Sequence, residues 1–167
     1  MARHIEHSAQ YSCPVATLHA ALTDEGYWQS RLREVGGPGA VLESVAVGDG
    51  TIDVVLKQSV PAEHLPSVVT SIRPGDLIIR RTESWAPLQG DRAQGTFSAE
   101  VEGAPGQLRG TMTLSADGSG SALVMNGDVE VKIPLIGGKI ESVIAGQVLE
   151  LLDAEEDFTG QWVSQVR

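Results

Sequence analysis

The chain has 167 residues, of which 41% are hydrophobic and 20% charged, a composition that suits one globular unit with a sizeable core and excludes a disordered chain. Asp and Glu number 22 against 12 for Lys and Arg, and the formal charge of -10 repels phosphate backbones and anionic bilayers, so neither nucleic acid nor stable membrane anchoring is expected. Aromatic residues make up only 4%, so the interior is built from Val, Ile, Leu and Ala and packs loosely in places.

Met1-Ala2-Arg3-His4-Ile5 shows no positive region followed by a continuous apolar stretch, so no signal peptide or membrane span is expected. Cys13 is the lone cysteine, which rules out an intrachain disulfide and a cysteine zinc cluster and makes a cytoplasmic protein the natural reading. Ile5, His7, Ala9 and Tyr11 alternate with Glu6, Ser8 and Gln10 and predict a first strand. Ser12 and Pro14 announce a helix, the hydroxyl as cap and the proline in the first turn, with Val15, Leu18, Ala21 and Leu22 as its apolar stripe. Thr23-Asp24 begins a second short helix carrying Tyr27, Trp28, Arg31 and Leu32, and Gly36-Gly37-Pro38-Gly39 ends it.

Strands are predicted from Val41 to Val47, Thr51 to Val60, Leu77 to Trp85, Arg92 to Val101, Leu108 to Ser115 and Ser121 to Ile133, and the mostly short turns between them imply antiparallel neighbours. The connection from Pro61 to Asp76 is too long for a hairpin and reads as a short helix broken by Pro66, the kind of segment that often forms a lid. Asn126-Gly127 is a hairpin signal, but the apolar alternation stays in phase from Leu123 to Ile133, so a bulge or bend at Gly127 is expected instead of two strands. Pro134 closes the last strand and Gly137-Gly138 lets the backbone reverse. One long amphipathic helix follows, with Ile140, Ile144, Val148, Leu151, Phe158 and Trp162 on its apolar side. Gly146, inside that helix, has no physical account.

The order strand, two helices, six strands, long helix resembles the START-like superfamily, also called SRPBCC, the helix-grip fold or the birch-pollen-allergen-like fold. Tyr11-Ser12-Cys13-Pro14-Val15 through Leu22-Thr23-Asp24 is similar to the start of that family's chains, where a strand meets Ser-x-Pro, a helix and Leu-Thr-Asp. Ile133-Pro134-Leu135-Ile136-Gly137-Gly138-Lys139-Ile140-Glu141, with Phe158-x-x-x-Trp162 downstream, is similar to an uncharacterised actinobacterial branch. The resemblance covers nearly the whole chain and implies an α+β fold: one domain, residues 1–167, in which a curved seven-stranded antiparallel sheet wraps a long carboxy-terminal helix. It further implies a cavity between sheet and helix, but no shared catalytic motif.

Taken literally, the alternation turns mainly apolar side chains toward the helix, among them Leu56, Ile79, Phe97, Met112 and Met125. His7, Arg81 and Glu83 are the exceptions, with Trp85 and Tyr11 beside them. A charge facing an apolar interior needs a partner or water, so Arg81 and Glu83, two apart on one strand, are either an internal ion pair or a polar contact to a ligand. His7 is a weaker candidate for ligand contact. These residues, together with Ile140, Ile144, Val148 and Leu151 of the helix, form the expected cavity. No nucleophile motif, metal-ligand spacing or cofactor fingerprint appears: Gly137-Gly138-Lys139 lacks the rest of a phosphate loop, and Glu155-Glu156-Asp157 reads as a solvated helix face. Cys13 reads as a small buried filler. No cofactor or metal is therefore expected. The leading reading is a binding protein for a small hydrophobic or amphipathic molecule such as a lipid, sterol-like compound or polyketide. A polyketide cyclase or aromatase-like enzyme and a chaperone activator or other protein-interaction module are the alternatives.

Overall fold

The computed structural model describes residues 2–37, 39–71 and 74–165, so Met1 and Pro38 of the reading above lie outside the described residues. Seven strands form one antiparallel sheet: β1 (Arg3–Tyr11), β2 (Val41–Val47), β3 (Ile52–Val60), β4 (Leu77–Trp85), β5 (Ala93–Val101), β6 (Gly106–Asp117) and β7 (Gly120–Val131). Their order is β1-β7-β6-β5-β4-β3-β2, so from β3 onward each strand pairs with the one before it and only β1 crosses to pair with β7. Helices α1 (Val15–Leu22) and α2 (Glu25–Val35) lie between β1 and β2, α3 (Ser67–Thr70) sits in the long connection after a 3-10 turn at Ala62–His64, and α4 runs from Gly137 to Gln165. This is the helix-grip architecture. The alternation holds along the sheet, with Ile52, Val54, Leu56, Met112, Leu114 and Val129 all buried against the helices.

Several local expectations are corrected. Asp24 caps α2 by accepting from Tyr27 N, but α1 starts after Pro14 with no side-chain cap, and exposed Ser12 plays no part. There is no bulge at Gly127, since the β6–β7 and β1–β7 registers run through it unbroken. A ring explains the glycine instead. Phe97 pairs with Gly110, which pairs with Gly127, and a Cβ on either glycine would lie 2.5 or 2.9 Å from Phe97 Cζ. The two glycines make a flat bed for that ring, a close approach no other residue permits.

At the far end of the sheet the left-handed turn before α4 falls on Leu135, at φ 72 and fully exposed, not on Gly137-Gly138. Gly137 is required because its Cβ would meet Val131 O at 2.5 Å where the helix leaves the sheet. The buried side of α4 also differs from the expected stripe: Ile140, Ala145, Leu152, Glu155, Thr159 and Val163 are buried, while Leu151 is only half-buried. Weighting by apolarity selects Leu151 because three of the buried positions, Glu141, Glu155 and Thr159, are polar. Phe158 and Trp162 flank Tyr27 of α2, their ring centroids 5.7 and 5.8 Å from its own. Gly146 is exposed, with nothing near its missing Cβ, and nothing in the structure explains it.

Candidate functional site: an ion cluster between two hollows

Helix α4 lies chiefly against β1, β7 and α2, which leaves the middle of the sheet to be covered by side chains alone. Beneath the second half of the helix these include four buried charges. Arg31 of α2 reaches Glu83 of β4 at 3.3 Å and Glu155 of α4 at 2.8 Å. Arg81 of β4 reaches the same two carboxylates, at 3.3 and 2.7 Å, and also donates to Gln58 Oε1 at 3.1 Å. Gln58 in turn donates to Gly36 O, tying the end of α2 into the set. Two guanidiniums and two carboxylates leave the cluster neutral, and each charge has more than one partner, the condition for tolerating burial.

Burial alone would raise the Glu155 pKa, but Arg31 and Arg81 outweigh it and hold the carboxyl at about 2. Burial works against both arginines too, and the carboxylates overcome it, so each guanidinium is held above its usual value. Arg31 also lies over the Trp28 ring, 4.4 Å from its centroid. The cluster extends through Tyr27, whose hydroxyl is 2.6 Å from Thr159 Oγ1. Thr159 spends its own proton on Glu155 O at 2.7 Å, so Tyr27 is the donor in that contact.

On one side of the cluster is a polar chamber of ≈ 30 Å³, with room for about a water or two. His7, Tyr11, Glu83, Trp85, Met112 and Met125 line it, six of the residues the sequence singles out. Burial, with Tyr27 and Glu156 nearby, pushes the Tyr11 hydroxyl well above its ordinary pKa. Trp85 Nε1 and His7 Nε2 are buried here without a hydrogen-bond partner. Leu56 and Arg81 line a ≈ 10 Å³ gap behind α2.

Beneath the first half of α4 lies a different kind of space. Two adjoining cavities of ≈ 60 Å³ each share Val101, Gly106 and Ile144 as walls and expose no polar surface. Ile79, Ile144 and Val148 line the inner cavity, and Ile140 and Ile144 the outer one, whose rim includes Val69 of α3. In place of the expected single cavity there are a polar chamber and an apolar trough, with the ion cluster beside them. Phe97 lines neither part, its ring lying over the two glycines, and Leu151 lines neither, because Leu152 takes the inward position. Sequence reasoning missed Arg31 and Glu155. Glu155 in particular is buried, not on a solvated face, and the available signal was its helical phase with Leu152, Thr159 and Val163.

Among the described residues no helix is long and apolar enough to cross a membrane. The fold is shared with the START superfamily protein from Mycobacterium smegmatis, with a TM-score of 0.55 at 14% identity covering 98% of this chain and 99% of that one. It is shared also with TTHA0849 from Thermus thermophilus, with a TM-score of 0.64 at 13% identity covering 98% of each chain. In sequence the chain is 37% identical over 171 residues to the uncharacterized protein Rv0481c of Mycobacterium tuberculosis, covering 98% of both, in keeping with the resemblance to an actinobacterial branch. The model of DUF2505, described as a protein of unknown function, matches residues 6–163, from the first strand through the buried face of α4, and with that span and that relative the chain belongs to the DUF2505 family.

Proposed function

We propose that the chain binds a small, neutral, largely apolar molecule in the trough beneath the first half of α4. The observation that carries this reading is the pair of adjoining cavities of ≈ 60 Å³ whose exposed surface is apolar. Apolar hollows stay dry, and ligand surface placed in them gains roughly 25 cal/mol per Å². The neutral ion cluster supports a neutral ligand, because Arg81, two residues from Ile79 on the same face of β4, already has its donors bonded to protein acceptors. Ligand pockets for drug-sized molecules run to roughly 300 Å³ and more, so among lipid, sterol-like and polyketide ligands the trough favours a single alkyl chain or one small ring. A cytoplasmic setting belongs to the same proposal, supported by the lone Cys13.

Titration with an environment-sensitive apolar dye tests it. Gly106→Ala places a methyl 3.7 Å from Val101 and 3.8 Å from Val131, ordinary contact distances, so it narrows the trough without strain. The reading predicts saturable binding that weakens in Gly106→Ala and is lost in Ala99→Phe while both variants stay folded. Absence of saturable binding by the unsubstituted chain contradicts it. The enzymatic reading draws on the polar chamber, where Trp85 Nε1 and His7 Nε2 are buried without partners. It demands turnover of a supplied polyketide or lipid substrate that collapses in variants still able to bind.

A further inference from the structure

At the edge of the polar chamber, where β1 passes under α4, His7 meets two carboxylates one helical turn apart. Its Nε2 lies 3.0 Å from Glu156 Oε1 and its Nδ1 lies 3.7 Å from Asp153 Oδ1. One donor atom from each of the three residues falls within 4.8 Å of the others. The His7 side chain is only 10% exposed, yet Nε2 makes no hydrogen bond, because the Glu156 oxygen sits off the axis of the ring nitrogen. A ring nitrogen and a carboxylate oxygen this close, with no hydrogen bond between them, can both serve as ligands of a common centre. With bonds of about 2.1 Å to imidazole nitrogen and carboxylate oxygen, a 3.0 Å edge subtends an angle of about 90°, as in five- or six-coordinate geometry.

The surroundings favour a cation. Glu156 and Asp153 have no Lys or Arg partner among the described residues, and α4 carries Glu150 and Asp157 nearby against a single lysine, Lys139, at its far end. We infer that His7, Glu156 and Asp153 form a binding site for a divalent cation that accepts nitrogen and oxygen donors, of the Mn²⁺ or Zn²⁺ class. His7 Nε2 and Glu156 are its inner ligands, Asp153 is the exposed arm, and water from the adjoining chamber completes the sphere. The site lies apart from the apolar trough and does not depend on ligand binding there.

The alternative is a plain ion pair between protonated His7 and the two acids, which needs no metal. Metal-stripped full-length protein is titrated with Mn²⁺ and with Zn²⁺ by calorimetry, and its thermal unfolding is followed with and without each ion. One equivalent should bind and raise the unfolding temperature. Glu156→Gln should weaken binding by about tenfold or more, and His7→Gln should abolish it. His4→Gln, which removes the separate exposed contact with Asp128, should leave binding unchanged. Lack of saturable binding by the unsubstituted chain, binding that survives Glu156→Gln at full strength, or binding lost in His4→Gln would each overturn the inference. If His7→Gln fails to fold, Glu156→Gln on its partly exposed side chain carries the decision.

Discussion

Arg81 on β4 holds Glu155 on α4 with both arms of its guanidinium, Nη1 to Oε2 at 2.7 Å and Nη2 to Oε1 at 3.2 Å, so one fork ties the sheet to the long helix. Arg31 brings α2 to the same carboxylate. The three layers that close the fold thus meet at one buried side chain.

Glu155→Gln leaves two buried guanidiniums to share Glu83 alone and should lower stability by about 3–5 kcal/mol in urea denaturation, with Arg81→Met similar. The double variant retains the neutral Arg31–Glu83 pair and should lose less than the sum of the singles. Dye affinity per folded molecule should not change. A selective loss of affinity at unchanged stability would make Arg81 a ligand contact instead.

Glu155 also sets an acid limit. Its carboxyl titrates at about 2 in the folded chain against an ordinary value of 4.5. A depressed folded pKa gives stability that is complete above the unfolded value and lost as pH falls through the folded one, so the loss should run from about pH 4.5 toward 2 and amount to something of order 3 kcal/mol. Glu155→Gln should be less stable throughout and flatter across that window. An equally steep acid limb in the variant would remove Glu155 from the explanation.

The bed beneath Phe97 makes a packing prediction. Gly127→Ala brings a methyl to 2.9 Å from both Phe97 Cζ and Arg109 O, which should destabilise by about 1–3 kcal/mol through overpacking. Combined with Phe97→Leu the effect should shrink, since half of the clash is with the ring. Additive losses would show that the ring and the glycine are not coupled.

What was legible in the sequence follows from which forces are local. Strand limits such as Leu77 to Trp85 could be read because alternation and turn residues act over a few positions, and the inward placement of Arg81 and Glu83 followed from the same alternation. Gly127 was misread because its partner, Phe97, lies two strands away. Glu155 reads as a surface residue and Arg31 receives no role because polar side chains on a buried face carry no local mark, and only their partners on other elements explain them. His7 and Glu156 stand near opposite ends of the chain, so no spacing could bring them together before β1 was seen beneath α4.

Charge leads to a negative expectation. With -10 overall and no run of basic residues longer than Arg80-Arg81, which alternate between opposite faces of β4, the chain should neither shift duplex DNA in a gel nor sediment with acidic vesicles at physiological salt. Saturable binding in either assay that weakens steeply with added salt would contradict it.

The trough is tested most directly by locating a bound probe. In methyl-labelled protein titrated with a small apolar compound such as indole, the signals of Val101, Val129, Ile144 and Val148 should move together and saturate at one equivalent, with Leu152 and Met112 beside the polar chamber unmoved. Shifts confined to the chamber residues, or no saturable shift at all, would contradict binding in the trough.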